Sequence, residues 1–128
     1  QLEVAKRIAA SPNNKTYGIL SVLIQAFYTI DLEFEIPPTV FIPQPKVQSA
    51  VISGQRIEQE IDWNVPMFFD VVKTAFQQRR KTVANALKKF NIPKDLLVTN
   101  QMFKLRAENL SVEDFKELTA WIEKNKID

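Results

Sequence analysis

The chain has 128 residues, 45% hydrophobic and 25% charged, with a formal charge of +2, no His, no Cys and two Gly. That length suits one domain with a real core, or one small domain plus part of another. The absent Cys exclude disulfides and thiolate metal sites, the absent His exclude imidazole catalysis and nearly every zinc enzyme, and two isolated Gly exclude a Gly-rich phosphate loop.

No metal is expected. No run approaches the ~18 apolar residues of a membrane span, so no membrane partner is expected and a cytoplasmic location is the default. The chain opens on Gln1-Leu2-Glu3-Val4-Ala5, which reads as the middle of a helix without a cap, so a fragment is expected.

Residues 1–10 predict a short amphipathic helix, with Leu2, Ala5, Ile8 and Ala9 on one face. Ser11-Pro12-Asn13-Asn14 is a turn signal. Residues 17–28 predict a mostly buried helix, on Leu20, Leu23, Ile24 and Phe27. Strict alternation follows, which predicts a half-buried strand with Ile30, Leu32, Phe34 and Ile36 facing one way. Pro37-Pro38 ends it, and Pro43 and Pro45 keep the next loop extended. A second strand is expected at about 49–53, broken by Gly54-Gln55.

After Asp62 the pattern becomes helical. Asn64 is a cap residue, with Pro66 in the first turn. Val72, Phe76, Val83, Leu87 and Phe90 keep to one face, which predicts one continuous helix to Phe90, stopped by Asn91-Ile92-Pro93. A short helix is expected near 94–98. Ser111 to Asp114 resembles a capping box before a helix carrying Phe115, Leu118, Trp121 and Ile122.

The small net charge hides a segregation. Val71 to Lys94 holds seven basic residues (Lys73, Arg79, Arg80, Lys81, Lys88, Lys89 and Lys94) and no acidic one. On a single helix, Lys73, Lys81 and Lys88 share a sector, with Arg79 and Arg80 flanking the apolar stripe. Such a ridge suits a phosphate backbone, because each neutralised phosphate releases counterions. An ordinary solvated helix face is the other reading. For Arg79, a partly buried structural role opposite an acidic residue is a third.

Three further segments are candidates. Phe41-Ile42-Pro43-Gln44-Pro45 is a Pro-stiffened loop presenting one aromatic ring; Phe41 offers either a stacking surface for an unstacked base or a plug for the core. Asn64-Val65-Pro66-Met67 resembles the turn with which amino-group methyltransferases hold their target, but the fourth residue is Met and no strand leads in. A simple helix start is expected there. Arg106 and Glu108, two apart before a capped helix, suggest a local ion pair that ties a loop down.

Taken together, FIPQPKVQS (41–49), AFQQRRKTVANALKKF (75–90) and RAENLSVEDFKEL (106–118) resemble, in this order, the C-terminal half of bacterial ribosomal RNA adenine dimethyltransferases. QLEVAKRIAA (1–10) and KTYGILSVLIQAFY (15–28) are similar too. The resemblance implies an α+β fragment. Residues 1–60 would be the end of a Rossmann-like methyltransferase sheet, two antiparallel strands plus helices. Residues 61–128 would be a small all-α domain that contacts rRNA.

The resemblance further implies methyl transfer from S-adenosylmethionine to N6 of two adjacent adenosines near the 3′ end of small-subunit rRNA, late in subunit assembly. Phe41 would pack on the target adenine, and Lys73, Arg79, Arg80, Lys81, Lys88 and Lys89 would meet RNA. The partners implied are small-subunit rRNA and the assembling small subunit. The family's Gly-rich cofactor loop, acidic ribose ligand and Asn-Leu-Pro-Tyr turn would all lie before Gln1. The chain alone is therefore expected neither to bind the cofactor nor to methylate. With its sheet incomplete, apolar surface is expected at Leu2, Ile8 and one strand face, met by self-association or by a loosely packed N-terminus. A stand-alone helical nucleic-acid-binding or protein-interaction module without catalysis is the alternative.

Overall fold

The structure is a computed structural model that describes residues 1–126. Helix α1 (Leu2–Ala9) is tied within itself by Arg7 and Glu3, one turn apart at 2.7 Å. Ala5 is its buried residue, while Leu2 and Ile8 are half-buried. Helix α2 (Ile19–Gln25) is shorter than the pattern predicts. Gly18 caps it in an extended conformation, its N–H donating to Ser21 Oγ at 3.1 Å, and the chain leaves helical geometry before Tyr28, which opens a strand. Ser21 Oγ in turn donates to the Arg7 carbonyl, and Gln25 Nε2 donates to the carbonyls of Ile8 (2.7 Å) and Ala10 (2.9 Å). Two polar side chains of α2 thus satisfy the open C-terminus of α1.

Strands β1 (Tyr28–Ile36) and β2 (Ser49–Arg56) form a two-stranded antiparallel sheet, as expected. Two details differ from the sequence reading. Gly54 does not break β2; it pairs with Ile30, and a Cβ on it would come within 3.0 Å of Ile30 Cδ1. The strand therefore runs on to Arg56. The apolar alternation of β1 also fails to keep one face. Leu32 pairs with Ile52 and Phe34 with Val51, so Glu33 is an extra residue. Such a bulge moves every later side chain to the other side. Ile30 and Leu32 stay on the side of α1, where Lys6 reaches Glu35 at 3.8 Å. Phe34 and Ile36 turn to the opposite side with Val51, and Phe34 is 58% exposed. Glu33 is held by Ser53 Oγ at 2.5 Å.

Among the described residues, every element after β2 is helical. Asn64 caps α3 (Val65–Gln77), accepting from Met67 N–H at 3.1 Å with Pro66 in the first turn. This is the simple helix start that the Met at position 67 indicates. The helix does not continue to Phe90. It ends at Gln77, and Thr82 starts a new short helix, α4 (Val83–Ala86), by accepting from Asn85 N–H at 3.3 Å. The break is stabilised from outside the segment: Val83 N–H donates to the Leu105 carbonyl at 2.7 Å, and Thr82 bridges Arg106 antiparallel. Val83 falls seven residues after Phe76, two helical turns, so the apolar spacing survives an interruption it does not reveal.

Short 3₁₀ turns lie at 88–90, 101–104 and 107–109, with α5 (Lys94–Leu97) between. Asn91 ends the first of them in the left-handed region at φ 52°, which Asn tolerates. Helix α6 (Val112–Asn125) opens on the expected capping box: Ser111 Oγ accepts from Asp114 N–H at 3.0 Å, and Asp114 returns the bond to Ser111 N–H at 3.0 Å. Phe115, Leu118 and Ile122 are fully buried. They join Phe68, Val71, Val72, Ala75 and Phe76 of α3 and Val83 of α4 in one cluster that also takes in Tyr17, Val22 and Ala26.

Candidate nucleic-acid interface

The basic stretch does not form one helical ridge, because the chain bends at 78–82. The bend redistributes its cations. Lys73, Arg80, Lys81, Lys88 and Lys89 are exposed, but Arg79 turns inward. Its Nη2 donates to the Tyr17 carbonyl at 2.8 Å and lies 3.6 Å from Glu108 Oε2, and its guanidinium sits 5.6 Å from the centre of the Phe76 ring. This is the structural option considered for Arg79. Glu108 therefore pairs with Arg79 and not with Arg106, as the two-residue spacing suggested. The Arg106 backbone is fixed instead, its N–H donating to Asn109 Oδ1 at 2.9 Å.

Lys81, Lys88 and Lys89 line one cleft of about 360 Å³ with Gln77, Gln78 and Asn85. The cleft exists because of the bend: α3 supplies one wall and α4 with its following turn the other. Lys89 Nζ is 2.6 Å from Asp70 Oδ1 and 5.2 Å from the Phe90 ring centre. Among the described residues, Lys73, Arg80, Lys81 and Lys88 have no carboxylate within 4.0 Å. The amides of Gln77, Gln78 and Asn85 make no side-chain hydrogen bond among the described residues. Sequence reasoning missed these three, since lone Gln and Asn on a helix carry no signal of a site. It also missed that Arg106, exposed and bridged to Thr82, stands beside the basic bend.

Phe41 lies in the connection between β1 and β2 and is not among the residues that line this cleft. It follows a 3₁₀ turn at Pro38–Val40 and is 39% exposed, outside the buried cluster, so the core-plug reading fails. Ile42 beside it is fully exposed, and the Ile42–Pro43 peptide is cis. No group of three or more acidic residues that could hold a metal occurs among the described residues. Neither glycine sits in a phosphate-cradling loop: Gly18 caps α2 and Gly54 pairs within β2. No described helix is long and apolar enough to cross a membrane.

The chain is an α+β fold with a strand pair, a helical half and a bend at which Arg80, Lys81 and Lys88 face no carboxylate among the described residues. The family model for ribosomal RNA adenine dimethylase matches residues 1–124, and the chain belongs to that family. The family uses S-adenosylmethionine. Among relatives, the ribosomal RNA small subunit methyltransferase A of Flavobacterium johnsoniae is 51% identical over 127 residues, covering 96% of this chain and 47% of its own length. That of Phocaeicola vulgatus is 48% identical over 132 residues, covering 100% and 47%. The chain thus spans about half the length of the curated relatives it matches. Among solved structures, a dimethyladenosine transferase from Plasmodium falciparum superposes with a TM-score of 0.82 at 23% identity, over 97% of this chain and 55% of that one. A 23S rRNA methyltransferase, ErmE, does so with a TM-score of 0.62 at 16% identity, over 94% and 52%. At those identities the two structures speak for the fold.

Proposed function

We propose that this chain supplies the RNA-contacting half of an S-adenosylmethionine-dependent rRNA adenine dimethyltransferase. The whole enzyme methylates N6 of two adjacent adenosines near the 3′ end of small-subunit rRNA in the cytoplasm, on the assembling small subunit. Residues 1–60 are the remainder of the methyltransferase sheet, and residues 61–128 are the helical domain that meets RNA. The observation that carries this reading is the group of exposed cations, Arg80, Lys81 and Lys88, at a bend within a stretch of chain that holds no carboxylate. Phosphates attract such a group without the competition of internal ion pairs. Lys73 and Lys89 add charge at the margins, and Arg79 serves mainly by holding the bend. Phe41 packs on the unstacked target base, which calls for an exposed ring on a stiff loop.

The test is the salt dependence of binding between this chain and a fragment of small-subunit rRNA that includes its 3′ end. Log K is expected to fall steeply with log salt, and removing Arg80, Lys81 or Lys88 lowers the slope by about one unit each. A flat slope would sink the proposal. Calorimetry of the chain alone with S-adenosylmethionine is expected to show no binding, since neither glycine forms a loop that could cradle the cofactor. Micromolar affinity would overturn that part.

The exposed strand face around Phe34 and Val51 also supports self-association of the isolated chain. Sedimentation should show a concentration-dependent dimer that Phe34→Lys abolishes; a monomer at all concentrations would refute it.

A further inference from the structure

The cleft at the basic bend contains more than charge. Gln77 ends α3 and Gln78 follows it in a non-helical conformation, at φ −130° and ψ 58°. Asn85 faces them from α4, and Lys81, Lys88 and Lys89 complete the lining. All six residues are exposed. The charge is net positive: Asp70, at the rim, is already occupied by Lys89 at 2.6 Å and by Thr74 Oγ1 at 3.3 Å.

The residue types decide what such a cleft recognises. A phosphate takes only donors, and lysines alone would serve it. An amide offers a donor and an acceptor together. Three amides between lysines are therefore suited to a surface that alternates phosphates with groups that both donate and accept. The shallow minor groove of A-form RNA is such a surface, because each sugar carries a 2′-hydroxyl beside the phosphate line. DNA offers no hydroxyl there.

We propose that this cleft reads double-stranded RNA across its minor groove: Gln77, Gln78 and Asn85 bond to 2′-hydroxyls, while Lys81 and Lys88 hold the flanking phosphates. The inference rests on the RNA-contacting role proposed above and narrows it to the class of RNA, duplex and A-form, and to the groups that tell RNA from DNA. The selectivity requires no base sequence, since each 2′-hydroxyl is equivalent.

Binding of the chain to three duplexes of one sequence tests it: RNA, DNA, and RNA with every 2′-hydroxyl replaced by fluorine, which keeps the A-form without the donor. RNA is expected to bind about tenfold more tightly than either of the others, as one or two such hydrogen bonds would give. The triple variant Gln77→Ala, Gln78→Ala, Asn85→Ala should erase that gap and leave DNA binding unchanged. Lys81→Ala should weaken all three duplexes alike. Circular dichroism and thermal melting confirm that each variant folds, which these exposed positions permit.

Equal affinity for the three duplexes would overturn the duplex-reading inference while leaving the cationic RNA role standing. So would a preference for single strands over duplex. Failure to bind any nucleic acid at low salt would overturn both.

Discussion

Tyr17 and Arg79 show how much a single side chain holds here. The Tyr17 hydroxyl donates to the Leu110 carbonyl at 2.7 Å from a fully buried position. Burial first, and the charge of Asp114 second, push its phenol well above the usual value. A group that keeps its proton more tightly when folded adds stability below the unfolded pKa of about 10, and loses it as pH rises towards the folded value. Tyr17→Phe should cost about 1 kcal/mol at neutral pH. It should also flatten the fall in stability above about pH 10, measured by urea unfolding across the alkaline range. Arg79 and Arg80 are neighbours with opposite tasks. Arg79→Ala should lower stability by about 1 kcal/mol, a charged hydrogen bond discounted for its partial exposure. Arg80→Ala should leave the melting temperature unchanged and weaken RNA binding. Equal thermal shifts for the two would contradict the assignment.

At the scale of elements, the bend at 78–82 matters most. Its cap is Thr82, which satisfies Asn85 N–H, and its brace is the backbone pairing with Leu105 and Arg106. Thr82→Ala should cost about 1 kcal/mol. Because the same bend shapes the cleft, that variant should also weaken RNA binding, whereas Thr82→Ser should keep both, by melting and by titration. The bulge at Glu33 is the second local decision. It turns Phe34 away from Leu32 and leaves the ring on the open side of the sheet. Period-two alternation was legible in β1, but a bulge leaves no mark on a pattern whose apolar residues continue in step.

For the whole molecule, one core joins the loop before α2 to both long helices of the helical half. Phe115 belongs to it, fully buried with its ring centre 5.7 Å from that of Phe76. Phe115→Ala should cost about 3–5 kcal/mol by loss of contacts and cavity formation, seen as a lower midpoint in chemical denaturation. A second linkage lies at the loops: Asn13 N–H donates to the Glu108 carbonyl at 2.7 Å, and Asn109 Nδ2 donates to Asn13 Oδ1 at 2.9 Å. With Arg79 on Tyr17 and Glu108, these bonds fasten residues 13–17 to 106–110 and hold the basic bend at a set position against the first helices.

Local chemistry settled much of this in advance. Capping residues at Asn64 and Ser111, alternation in β1, the amphipathic spacing of α1 and α6, and the acid-free basic run depend on neighbours within a few residues, so they are written into the sequence. The order of the matching motifs carried the family. Four outcomes belonged to the fold alone: the helix break at 78–82, the turn of β1 at Glu33, the passage of β2 through Gly54, and the division of labour between Arg79 and Arg80. Each is decided by a partner distant in the chain — Leu105 for the break, Val51 for the bulge, Ile30 for Gly54, Tyr17 and Glu108 for Arg79. The cleft with its three amides follows from the same cause, because residues 77, 78 and 85 face one another only after the chain has bent.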